Sequence, residues 1–92
     1  MKTAIYRRPT SADQAHAVDI RLGDGDTRTV SIHDAQHIYE KLGMGISSNL
    51  WWLMAEFGEG DKRTIIRAVA IELFNDLERV IGEYIDYKES EK

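Results

Sequence analysis

The chain has 92 residues, of which 42% are hydrophobic and 30% charged, enough for one modest core beneath a charged surface. That balance excludes a disordered chain, the single proline and seven glycines exclude collagen-like and low-complexity classes, and no apolar run approaches the roughly 18–20 residues that cross a bilayer. The absence of cysteine excludes disulfides, a thiolate nucleophile and a Cys-based zinc site, and a net charge of −4 argues against general nucleic-acid binding.

Residues 1–8 carry Lys2, Arg7 and Arg8 but no apolar stretch of the kind a signal peptide needs, so a cytoplasmic protein is expected. Ile5 and Tyr6 favour a short strand over residues 2–7, which Pro9 ends because it has no N–H to give to a ladder. The polar segment to Gln14 reads as a loop. From 17 to 22 the chain alternates, with Val18, Ile20 and Leu22 on one side and Asp19 and Arg21 on the other. A period of two is the mark of a half-buried strand. Gly23-Asp24-Gly25-Asp26 then predicts a tight turn, and residues 27–32 alternate again, with Val30 and Ile32 inward. Two alternating runs about a Gly/Asp turn predict a hairpin.

Ser31 and Asp34 have capping-box spacing, and Ile32, Ala35, Ile38, Tyr39 and Leu42 share one face of the helix that follows. Gly43 and Gly45 are expected to stop it. Ser47 or Ser48 is expected to cap a short second helix over 49–57, whose Leu50, Leu53, Met54 and Phe57 follow helical spacing. Gly58 and Gly60 end it. Asp61 is placed to cap a long third helix over 62–87, about 40 Å long at ~1.5 Å per residue.

The third helix carries a regular apolar stripe of Ile66, Ala70, Leu73, Leu77, Val80, Tyr84 and Tyr87, spaced alternately by four and three. A second stripe of Phe74, Ile81 and Ile85 runs beside it, with Ile71 further round. The combined arc is wider than one core needs. Either the chain's own elements cover both stripes, or Phe74, Ile81 and Ile85 form the interface of a homodimer, and a small chain's limited burial favours the dimer. The fold class expected is α+β: an N-terminal antiparallel hairpin or three-stranded sheet followed by three helices, the last one long. No repeat or composition break divides residues 1–92, so one domain is expected.

Few segments carry recognisable chemistry. His33 and His37, at i and i+4, resemble the H-E-x-x-H zinc motif with Asp34 in place of its Glu. Asp is a carbon shorter, no third ligand motif follows, and both histidines fall opposite the apolar face. No metal or other cofactor is expected. The Gly/Asp turn lacks the alternate ligands of a calcium loop, since Arg28 stands where the next would be. Without a nucleophile motif or a convergent polar set, no enzyme is expected.

Two features point instead to a binding surface. Trp51 and Trp52 are adjacent, so one helix face cannot bury both; Trp52 falls nearly opposite the face centred on Leu50, Leu53, Met54 and Phe57, where it either packs under the glycine-rich loop or the N-terminal strand or serves as a partly exposed anchor. Tryptophan is enriched among the residues that dominate interfaces. Lys62, Arg63 and Arg67 cluster where the helix dipole disfavours cations. The expected partner-binding set is therefore Trp52, Lys62, Arg63 and Arg67.

Residues 27–32 followed by a helix, with Arg63-Thr64-Ile65-Ile66-Arg67-Ala68 opening another, resemble a ribbon-helix-helix DNA-binding module over about half of the chain. The resemblance implies a strand that pairs with its twin and a DNA-binding regulator. Residues 43–60 interrupt that pattern with an extra helix, and the acidic charge disfavours DNA. The leading expectation is a small acidic protein acting by protein–protein interaction, as a regulator, adaptor or inhibitor of the sort carried by phages and mobile elements.

Overall fold

The computed structural model describes residues 3–10, 15–22, 27–57 and 67–90. Three antiparallel strands, β1 (Ala4–Arg7), β2 (Ala17–Ile20) and β3 (Arg28–Ser31), form one sheet in the order β1-β2-β3. Three helices follow: α1 (Ile32–Met44), α2 (Leu50–Phe57), entered through a single 3₁₀ turn at Ser47–Asn49, and the long α3 (Arg67–Ser90). The turn over 23–26, the cap at Asp61, and Lys62, Arg63 and Ile66 lie outside the described residues. No described helix is long and apolar enough to cross a membrane.

Alternation decides which sheet face is buried. Ala4 pairs with Ile20, and Tyr6 with Val18, which in turn faces Val30. These rows point inward, and Ala4, Tyr6, Val18, Ile20, Leu22 and Ile32 are buried with Val30 half-covered at the edge. The outward row is Ile5, Asp19 and Thr29, in which the Thr29 hydroxyl donates to Asp19 Oδ1 at 2.6 Å and Arg7 approaches Asp19 at 3.7 Å.

Helices α1 and α3 cover the inner face. Ser31 accepts from the Asp34 N–H at 3.1 Å and starts α1, so half of the capping box is made. The helices run antiparallel. The Ile32 N–H at the start of α1 reaches the carbonyl of His16, which packs on Tyr84 and Tyr87 near the end of α3, while Tyr39 and Gly43 at the far end of α1 meet Phe74. Ala70, Leu73, Leu77 and Val80 are fully buried between them.

A polar clamp docks α3 on β1. Asp76 Oδ2 accepts from both the N–H and the hydroxyl of Thr3 at 2.7 Å, and Arg79 donates to the carbonyl of Ala4 at 2.7 Å. Burial works to raise the Asp76 pKa. The Thr3 hydroxyl and backbone bonds, helped by Arg79 and the backbone of Ala4, outweigh it and hold the carboxyl below its ordinary 3.8.

Two local expectations give way to other solutions. Neither Ser47 nor Ser48 caps α2, because α2 continues directly from the 3₁₀ turn, which begins without a side-chain cap. The Ser48 hydroxyl instead donates to the carbonyl of Gly45. The end of α1 is closed by Asn49, whose Nδ2 donates to the carbonyls of Lys41 at 2.9 Å and Gly45 at 2.7 Å. Gly45 leaves the helix at φ 156° instead of in the left-handed helical well, and a Cβ there would lie 2.5 Å from Ser48 Oγ.

Candidate partner-binding surface

Two of the helices pack on the sheet, and α2 stands at its margin. α3 lies on β1, and α1 on β2 and β3. α2 meets α1 through Trp52, whose ring stands edge-on to His37 with centroids 5.8 Å apart and lies 5.6 Å from Lys41 Nζ. It meets the end of β3 through Arg28, whose guanidinium lies 5.3 Å from the Phe57 ring centre and donates to the Glu56 carbonyl. Between β3, α1 and α2 lies a pocket of about 200 Å³, open to solvent on one side. Val30, Ile38, Trp52 and Phe57 make its apolar wall, and Arg28, Asp34, His37 and Glu56 its polar rim.

The structure reverses the expected exposure of the two tryptophans. Trp52 is half-buried and packs on the core, whereas Trp51 is 80% exposed. The physical reason is the phase of α2. Its burial centres on Leu53, the one fully buried residue of the helix. At about 100° per residue Trp52 stands 100° from that centre and Trp51 about 160°. Leu50, Met54 and Phe57 remain half-buried on the other side. Met44, the last residue of α1, is also 80% exposed, so two large apolar side chains stand in solvent on either side of the α1–α2 connection.

Of the expected cations, Lys62 and Arg63 lie outside the described residues. Arg67 is exposed and its Nε donates to Ser47 Oγ at 3.1 Å. It lines a second hollow, of about 540 Å³, with Leu42, Ile46 and Phe74. Arg67 and Trp52 therefore line different hollows. Phe74, expected at a dimer interface, stacks face to face on Tyr39 with centroids 4.7 Å apart. Ile81 is half-buried and Ile85 46% exposed.

Sequence reasoning missed Arg28, His37 and Phe57 as neighbours of Trp52. It also missed a second aromatic cluster, in which His16 stacks on Tyr6, accepts or donates a hydrogen bond at its hydroxyl, and meets Tyr84 and Tyr87 edge-on, with Arg8 over Tyr87. The available signal was Tyr84 and Tyr87 on the core stripe of α3, whose rings had to meet something at the strand end. Among the described residues, no group of three or more His, Asp or Glu could hold a metal ion.

No protein-family model, curated protein or solved structure matches this chain.

Proposed function

We propose that this chain acts by binding another protein through the surface built by α2 and its junction with α1. The observation that carries the reading is the 80% exposure of both Trp51 and Met44, on either side of the α1–α2 connection. Large apolar side chains held in water are costly unless a partner covers them, and tryptophan anchors gain the most from such cover. The regulator, adaptor or inhibitor role belongs to this reading, since each acts by occupying a partner's surface.

Recovery of a partner from the cell that makes this chain tests the reading. The wild-type chain should retain a specific protein that Trp51→Glu and Met44→Glu variants lose, with all three melting alike. Equal recovery by the variants, or no specific protein with the wild type, would overturn it.

A homodimer through α3 is supported by a separate observation. Ile85 is 46% exposed, and Ile81 is only half-buried and does not pack on the core. Phe74 is already covered by Tyr39, which narrows the proposed interface to the last turns of α3.

A further inference from the structure

We propose that the partner of this surface binds as an extended polypeptide that adds a fourth strand to the open edge of β3 and lowers one apolar side chain into the cavity beside Trp52. This deepens the protein-binding reading above and rests on it.

The register identifies the free groups. In an antiparallel pair, residues alternate between those that bond the neighbouring strand and those that point away from it. The Ile32 N–H donates to His16, in line with the pairing of Val18 with Val30 and Ile20 with Arg28. Arg28, Val30 and Ile32 thus turn their backbone groups toward β2. Thr29 and Ser31 turn theirs away. The Ser31 carbonyl enters the first turn of α1, and its N–H does not donate to the Asp34 carboxylate. The Thr29 N–H, the Thr29 carbonyl and the Ser31 N–H are left, at the two-residue repeat of a strand, and no described residue bonds them.

The opposite edge of the sheet is treated differently. There the Arg21 N–H donates to Thr3, so Ala4 faces outward, and its carbonyl is taken by Arg79 of α3. Edges that must not pair are blocked in this way, or by proline, lysine or a bulge. β3, Arg28-Thr29-Val30-Ser31, is short and charged at Arg28, but it has no proline or lysine and no described side chain takes its outward backbone groups.

α2 supplies the other wall. It reaches the start of β3 through Arg28, which meets Glu56 and Phe57. A strand laid along β3 would project alternate side chains to the inner face, and Val30 marks where that face opens into the cavity. A cavity of about 200 Å³ walled by Val30, Ile38, Trp52 and Phe57 suits one leucine- or phenylalanine-sized group. Main-chain bonds would give affinity and the pocket would give selectivity.

The same geometry disfavours a second copy as the occupant. Twofold pairing of β3 with itself would bring the copy's α1 and α2 onto the same sheet face, on the side where Arg28 and Phe57 already meet. A strand of a partner needs only a backbone's width there. Alternating amide donors and acceptors are matched by another main chain, not by a lipid or a small molecule.

The test uses the full 92-residue chain and a random heptapeptide display library. Panning should enrich peptides with one apolar residue among β-formers. The best binder, labelled and titrated by fluorescence anisotropy, should bind at least tenfold more weakly to Thr29→Pro. That substitution removes an outward N–H, as prolines on edge strands do, together with the hydroxyl bond to Asp19. Thr29→Val, which loses the bond to Asp19 but keeps the N–H, should bind as the wild type does. Because Thr29→Pro could unfold the sheet, the peptide is also N-methylated at alternate residues in each of the two phases. One phase should abolish binding and the other leave it. Peptides that bind in both phases, that ignore Thr29→Pro in a folded chain, or that fail to be enriched overturn strand addition. A partner that is lost with Trp51→Glu but is indifferent to Thr29→Pro would leave the protein-binding reading standing and remove this one alone.

Discussion

Asp76 shows how one side chain ties the two ends of the chain together. Its carboxylate takes two hydrogen bonds from Thr3, and Arg79 beside it holds the next carbonyl of β1. Asp76→Asn should cost about 1–3 kcal/mol in urea denaturation at neutral pH, the range for losing a charged, partly buried acceptor. The sign of the pH dependence follows from the lowered pKa. A carboxyl that ionises more readily folded than unfolded stabilises the fold above its ordinary pKa of 3.8, and the gain disappears as pH falls through the folded value. The gap between wild type and Asp76→Asn should therefore close on acidification below pH 3.8. A gap unchanged at pH 2 would show that the charge plays no part. None of this was legible beforehand: a Thr and an Asp 73 positions apart carry no local pattern. The tryptophans failed for a related reason. A phase read from four apolar residues of α2 assumed one burying surface, and α1 pulled Trp52 to its own side.

The elements were more legible than the residues that join them. Val18, Ile20 and Leu22 alternate and are buried; Leu73, Leu77 and Val80 keep helical spacing and are buried. These patterns follow from burial on one face, which each short segment records in its own sequence. Leu73→Ala and Leu77→Ala should each cost ~2–5 kcal/mol by chemical denaturation, since both are fully buried in mid-helix. Losses below half a kcal/mol for both would contradict the packing of α3 on the sheet. The α1–α2 connection was legible only as a break. Gly43 and Gly45 marked the stop, but the cap is made by Asn49, which folds back on Lys41 and Gly45 from the following turn. Asn49→Ala should lower stability by ~0.5–2 kcal/mol, the scale of a lost helix cap. Because that cap fixes where α2 leaves α1, the variant should also change the fluorescence of the Trp51–Trp52 pair. A stability loss with an unchanged spectrum would show that α2 is held by Leu53 and Trp52 alone.

At the scale of the whole molecule, the unequal lengths of α1 and α3 determine what is left uncovered. α1 has 13 residues and α3 has 24, so α3 extends about 16 Å further at ~1.5 Å per residue. Tyr39 and Gly43 of α1 cover Phe74, and Ile32 at its other end lies near the level of Ile81. Past that level, Tyr84 and Tyr87 still find His16 on the sheet side, but Ile85 is 46% exposed. The apolar surplus that the sequence showed along all of α3 is thus reduced to its last turns. A twofold pairing of two such ends would cover Ile81 and Ile85 of each chain with those of the other, as isologous contacts do. The interface would be small, so association should be weak and concentration-dependent. Sedimentation across the micromolar range should show a mass rising from 10.5 kDa toward twice that, and Ile85→Glu should hold it at 10.5 kDa without lowering the melting temperature. A constant 10.5 kDa for the wild type at high concentration would leave Ile85 as an isolated exposed side chain and overturn the dimer.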